Sequence, residues 1–220
     1  MKHNRFLILV IIALVMFIPV SSASAHHPVW GNEDATAIDN LSTSFAFYRD
    51  LPVNKVHVYT FEGRQGQNLY AGVNIPAVKG LENYSVNMAL FGPSLPEADH
   101  DELPSEHPEN LGALIFPSKV SADFYEPFTQ TLYWGRQHID TSLPADGEYY
   151  LVIWQPEGIA GKYVMDSGRA EVFGFGDLFL FPIWWLQVHF FFGHGAYLLA
   201  GAAVILGFII FRINKRRKTA

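Results

Sequence analysis

Apolar and polar residues alternate along the middle of the chain. Leu69, Ala71, Val73 and Ile75 interleave with Asn68, Tyr70, Gly72 and Asn74, and Tyr84, Val86, Met88 and Leu90 interleave with Ser85, Asn87, Ala89 and Phe91. A period of two places one set of side chains on each face of a strand. Further strands are expected at 44–48, 54–61, 112–116, 131–139, 148–154, 161–167 and 169–174. Breakers divide most of them: Leu51-Pro52, Arg64-Gln65-Gly66, Gly92-Pro93, Ala145-Asp146-Gly147 and Pro156-Glu157-Gly158. Many short strands, regular turns and no helical period predict an all-β, antiparallel, jelly-roll-like sandwich over residues 26–174.

The two ends follow a different pattern. Residues 1–25 read as a signal peptide: Lys2 and Arg5 lead, residues 7–20 are apolar apart from Pro19, and Ala23-Ser24-Ala25 is a small-residue cleavage pattern. Cleavage after Ala25 would make His26 the mature N-terminus; an uncleaved anchor helix is the alternative. Residues 190–211 contain no acid, Lys or Arg, enough for one transmembrane helix. The tail, 212–220, carries Arg212, Lys215, Arg216, Arg217 and Lys218, which places the C-terminus in the cytoplasm and the body outside the cell membrane, as a single-pass protein. Between body and span, 175–189 reads as a juxtamembrane amphipathic segment. In it Phe181, Trp184, Trp185 and Val188 recur at helical spacing, Asp177 serves as a cap, and a bend is expected near Gly193.

Charge sharpens this picture. Residues 26–211 hold 8 Lys and Arg against 21 Asp and Glu, a net charge of −13, which repels nucleic acid and attracts cations. The absence of cysteine excludes disulfides, thiolate zinc sites and thiol catalysis. No Gly-x-Ser-x-Gly, His-Glu-x-x-His or phosphate-cradling loop occurs, so an enzyme is not expected.

One family resemblance rests on specific residues. Val58-Tyr59-Thr60-Phe61-Glu62-Gly63, Met88-Ala89-Leu90-Phe91-Gly92-Pro93, Leu143-Pro144-Ala145-Asp146-Gly147-Glu148-Tyr149-Tyr150 and Gly161-Lys162-Tyr163-Val164 resemble the strands and turns of bacterial pre-peptidase C-terminal domains. The resemblance covers roughly residues 54–167, with an insertion at about 94–130. It implies a jelly-roll-like, non-catalytic accessory module. The layout also resembles a group of prokaryotic membrane-anchored proteins with a His-Pro start after the signal and a Tyr-Glu-Pro-Phe segment, here Tyr125-Glu126-Pro127-Phe128; that likeness implies no activity.

Two functions fit these readings. The first is a membrane-anchored extracytoplasmic binding or structural module that acts by contact with a protein partner. The second is a transition-metal handling protein, with copper as the cofactor. An N-terminal His26 chelates Cu(II) through its amine and ring, while Pro28, lacking an N–H, blocks binding through successive deprotonated amides. His27, His189 and His194 are the further nitrogen candidates, gathered near the membrane surface if the mature terminus returns to the chain's exit; His57 and His138 are alternative third ligands. The acidic run 97–109, with His100 and His107, reads either as weak cation capture or as a solvated loop. Glu126, amid apolar residues, is either a buried functional carboxylate or a turn acceptor. Asp166-Ser167-Gly168, on the end of the strand expected at 161–167, reads as a turn. Ala196, Ala200, Ala203 and Gly207 line one side of the span and suit self-association.

Overall fold

The computed structural model describes residues 26–99, 102–104 and 106–218. The signal segment, His100 and the last two residues lie outside them. Eleven strands form two sheets: β1 (His27–Trp30), β2 (Ala35–Ala37), β3 (Phe45–Leu51), β4 (Val56–Gly63), β5 (Asn68–Pro76), β6 (Asn87–Gly92), β7 (Gly112–Phe116), β8 (Phe124–Glu126), β9 (Thr131–Ser142), β10 (Gly147–Trp154) and β11 (Gly161–Ser167). Sheet A has the order β1-β3-β11-β5-β9-β8 and sheet B the order β2-β4-β10-β6-β7. Two helices follow, α1 (Asp177–Phe191) and α2 (Gly195–Lys218).

Alternation in the sequence becomes the core. Leu69, Ala71, Val73 and Ile75 of β5 face Met88, Leu90, Leu151 and Ile153 of sheet B across the sandwich, all essentially buried. Pairing is antiparallel except at the two N-terminal edge strands, where β1 runs parallel to β3 and β2 parallel to β4. These two short strands follow each other along the edges of different sheets, so the N-terminal segment seals one side of the sandwich.

The core also holds a polar cluster. Arg49 is fully buried between the sheets. It donates to the carbonyls of Val29 and Tyr48 and to the Thr36 hydroxyl, and its guanidinium lies 5.4 Å from the Phe47 ring centre. His57 Nδ1 lies 2.7 Å from the Tyr163 hydroxyl, which also meets Tyr59 at 2.9 Å. Burial, with Arg49 adding to it, lowers the His57 pKa to about 4. His57 is therefore a neutral core residue whose Nδ1 is engaged by Tyr163, while its buried Nε2 meets no hydrogen-bond partner.

Several expectations are corrected. Residues 169–174 form no strand: Gly168 turns at φ +67, the amides of Arg169 and Ala170 bond to Ser42, and a single bridge joins Thr43 to Ala170. Asp166 and Ser167 belong to β11, which has the bounds expected for the 161–167 strand, and only Gly168 of the expected turn lies beyond it. Strand β8 arises inside the insertion. Asp177 is the first helical residue rather than the cap, which is Gly176; its carboxylate accepts from the Gly174 amide. Apolar side chains surround α1 instead of forming one stripe, with Val188 and His189 buried against the sandwich and Leu178, Phe179, Ile183 and Phe190 exposed.

The apolar run from Phe190 is divided. Gly193, at φ +78, ends α1 and turns the chain into α2, with amides of Phe192, Gly193 and His194 bonding back to Val188, Phe190 and His189. Residues Gly195–Lys215 of α2 are long and apolar enough to cross a membrane, at about 1.5 Å per residue. Its small-residue face, Ala196, Ala200, Ala203 and Gly207, is exposed.

Candidate functional site

Helix α1 lies on the outer face of sheet A. Val188 and Phe192 pack with Ala46, Tyr48, Tyr133 and Val164, and Trp30 stacks on Tyr48 at 4.4 Å. Lys162 reaches the α1 C-terminus, donating to the Phe191 carbonyl at 3.3 Å with its ammonium 4.7 Å from the Phe191 ring centre. Beyond the end of this apolar contact the same sheet face opens into a cavity of about 40 Å³, whose lining includes His26, Asn74, Phe124, Glu126, Thr129 and Asp166. An outer chamber of about 380 Å³ shares His26, Asn74, Phe124 and Asp166 and adds Ser44, Tyr70, Gly168 and Arg169.

Asp166 reaches this face because β11 alternates: Tyr163 and Met165 point into the sandwich, Val164 and Asp166 away from it. Opposite Asp166 in the ladder stands Gly72, where a Cβ would come within 2.9 Å of the carboxylate. Asn74 donates to Asp166 at 2.7 Å. Asp166 is 9% exposed, and burial pushes its pKa up to about 7 against the Asn74 hydrogen bond. Glu126 ends β8, 6% exposed, and accepts from the Phe128 amide at 2.8 Å. Its pKa is likewise pushed up to about 7, mainly by burial. Glu126 is therefore a turn acceptor, and a buried one. Neither acid forms an ion pair among the described residues. A chain of hydroxyls runs beside them, Thr129 to Thr131 at 2.7 Å, Thr131 to Tyr133 at 3.4 Å and Tyr133 to Tyr48 at 3.2 Å.

The histidines divide into separate groups. The His26 ring is bonded to the Ser44 hydroxyl, and burial lowers its pKa, with Glu171 opposing. Ser44 is itself largely buried, and the pair fixes the orientation of the ring. His27 is bonded to the Val172 carbonyl, stacks on Phe173 at 4.5 Å and meets Trp184 edge-on at 5.8 Å. The N-terminal strand thus does return to the chain's exit. His189, 8% exposed, and His194 approach with their Nδ1 atoms 2.8 Å apart across the Gly193 turn, as the expected bend allows. His107 is distant from all of these: its ring stacks on Phe91 at 5.8 Å over sheet B, and its Nδ1 lies 2.7 Å from the Pro104 carbonyl. The 97–109 run is in part a cover for sheet B, since Ala98 and Leu103 pack against it. His138 sits exposed on β9. Among the described residues no three His, Asp or Glu side chains converge as a metal-ion site.

No protein-family model matches the chain, and no curated protein matches it. Solved structures similar to it include the following three. One is the pre-peptidase C-terminal domain of a Bacillus anthracis collagenase, at 16% identity, covering 61% of this chain and 94% of that one, with a TM-score of 0.32. Another is PliG of Aeromonas hydrophila, a periplasmic inhibitor of g-type lysozyme, at 14% identity, 61% and 96% coverage and a TM-score of 0.35. A third is CorA of Methylomicrobium album BG8, a surface-associated copper-binding protein, at 12% identity, 64% and 100% coverage and a TM-score of 0.33. The first belongs to the family that residues 54–167 resemble. Likenesses at this level carry no argument about what this chain binds.

Proposed function

We propose that the protein is an extracytoplasmic binding module, tethered by α2 with its N-terminal domain outside and its tail in the cytoplasm, that holds a partner or ligand at the outer face of sheet A. One observation carries this reading: two carboxylates, Asp166 and Glu126, are buried without an ion-pair partner at a cavity beside the helix that leads to the anchor. Burying unpaired acids costs stability, and such groups concentrate where a ligand completes them. A photo-crosslinking residue placed at Phe124, by the cavity mouth, and another at Val120, exposed elsewhere, test this in cells lacking an outer membrane. A specific adduct at 124 and none at 120 supports the reading. Equal adducts at both positions, or a sandwich protected from external protease, refutes it.

A second reading, transition-metal binding with copper, is favoured by the His189–His194 pair. A separation of about 2.8 Å also suits two nitrogens bound in cis, at right angles, to a metal about 2.0 Å from each. In that reading His26 supplies a separate amine-and-ring chelate, and His27 stays with Val172 and Phe173 unless the terminus rearranges. Copper titration of protein starting at His26, beside a form with one extra N-terminal residue, tests the His26 chelate; equal affinity ends it. Loss of copper binding in His194→Ala would assign the pair.

A further inference from the structure

The cavity and its outer chamber define a ligand chemistry. Two acids, each more than nine-tenths buried, face a space with room for more than one water-sized group, since one water takes about 10–15 Å³ on this measure. The cations of the sheet face are committed elsewhere: Lys162 to Asp50 at 3.2 Å and to α1, and Arg169 to Asp140 at 2.8 Å. The His26 ring is bonded to the Ser44 hydroxyl. Aromatic rings of Phe124, Phe128, Tyr48 and Tyr133 contribute walls. Carboxylates with aromatic walls suit a cation that carries N–H donors and tolerates loose geometry. The described side chains do not converge as a metal ion needs, which disfavours an inorganic ion here.

We propose that this cavity is a site for a protonated amine, whose ammonium group is held by Asp166, with Glu126 in the same lining. The inference rests on the cavity being the binding site of the module, and it names the ligand class. The inner space takes an ammonium and a carbon or two, and the outer chamber, past His26 and Tyr70, takes whatever chain follows. Two sources fit the same chemistry. One is a small primary amine from outside. The other is the protein itself, because cleavage after Ala25 would release the α-amine of His26, a residue that lines both chambers.

Full-length protein in nanodiscs, prepared as two forms, separates these sources. One form begins at His26 and the other retains Ala25. Thermal unfolding is followed with and without ethylamine hydrochloride, against sodium chloride at matched ionic strength. A free-amine site predicts that ethylamine raises the melting temperature of both forms, with the apparent affinity falling at least tenfold in Asp166→Asn. A self-supplied ammonium predicts that the His26 form melts several degrees above the extended one, that ethylamine rescues only the extended form, and that Asp166→Asn removes the difference. Asp166→Asn keeps the shape and removes a buried charge; Phe124→Ala, at the mouth, is a second variant expected to weaken ethylamine without altering the acids. No response to ethylamine and no dependence on the terminus overturns the proposal. Tight copper binding that ethylamine does not compete, with no ethylamine response, also overturns it. The crosslinking result in cells does not enter these measurements, so the two readings fail separately.

Discussion

Both sheets of this sandwich are covered on both faces, yet the two outer faces are covered differently. Over sheet B the insertion lays Ala98, Leu103 and Leu111 on Ala89, Phe91, Ala113, Val152 and Trp154, with the His107 ring stacked on Phe91. That cover is apolar and complete enough to bury Phe91 fully. Over sheet A, α1 supplies Val188 and Phe192 at one end and leaves Asp166, Glu126 and His26 around a cavity at the other. Two-sided burial serves stability in the first case. In the second it creates a low-dielectric enclosure in which unpaired acids persist.

Removing the apolar cover should have the largest effect. Phe91→Ala is expected to cost about 3–5 kcal/mol in denaturant unfolding, as for other buried aromatic residues. A loss below about 1 kcal/mol would mean that the insertion does not pack on sheet B. Next in size is the acid pair. Asp166 and Glu126 titrate near 7 in the fold but near 4 when unfolded, so the native state holds protons that the unfolded chain has released. Their contribution therefore worsens as pH rises from about 4 to 7 and is fully unfavourable above that. Asp166→Asn should raise stability by on the order of 2 kcal/mol at pH 8 and by much less at pH 5; an equal change at both would show the carboxyl to be solvated. His57 works in the opposite direction. Folding lowers its pKa to about 4, so its protonation destabilises the protein as pH falls from about 6.5 towards 4. His57→Gln should flatten that acid limb in a melting-temperature profile, and an unchanged limb would remove His57 as its source.

A smaller effect is expected on the α1 side. Val188→Ala should cost about 1–2 kcal/mol and loosen the helix, read as faster amide exchange from Phe192 to His194. Unchanged exchange there would show that α1 is held by its other contacts. The smallest effect is at His107: replacing it by Ala should cost about 0.5–1.5 kcal/mol through the lost stack on Phe91 and leave ethylamine binding unchanged. Any change in ethylamine affinity would couple two faces that the structure separates.

The inner core was legible in the sequence because it obeys a period of two, and the Gly193 bend because glycine alone adopts φ +78 without strain. The outer faces were not. Ala89 and Phe91 occupy the polar set of an alternating strand, yet they are buried, since an insertion of mixed composition folds over them. Glu126 stood out as an acid among apolar neighbours. Asp166 did not, because Ser167-Gly168 after it resembles a turn, and only its register opposite Gly72 and beside Asn74 marks it. Nothing in local sequence pairs His26 with these acids; that neighbourhood comes from β1 joining β3 at the sheet edge. Arg49 was missed for a similar reason, being an arginine at an inward position whose partners are carbonyls and rings rather than acids.

Only Phe192, Gly193 and His194 separate α1 from α2, and backbone hydrogen bonds with the His189–His194 contact brace that link. With α2 as the proposed anchor, a body mounted so closely on it would have little of the reach that a flexible stalk gives. In that reading its search for anything else in the same bilayer would be a search by lateral diffusion within a thin layer, where confinement raises local concentration without any gain in intrinsic affinity. Weak contacts that would be lost in free solution then suffice, and lengthening this three-residue joint with a Gly-Ser stretch would dilute them.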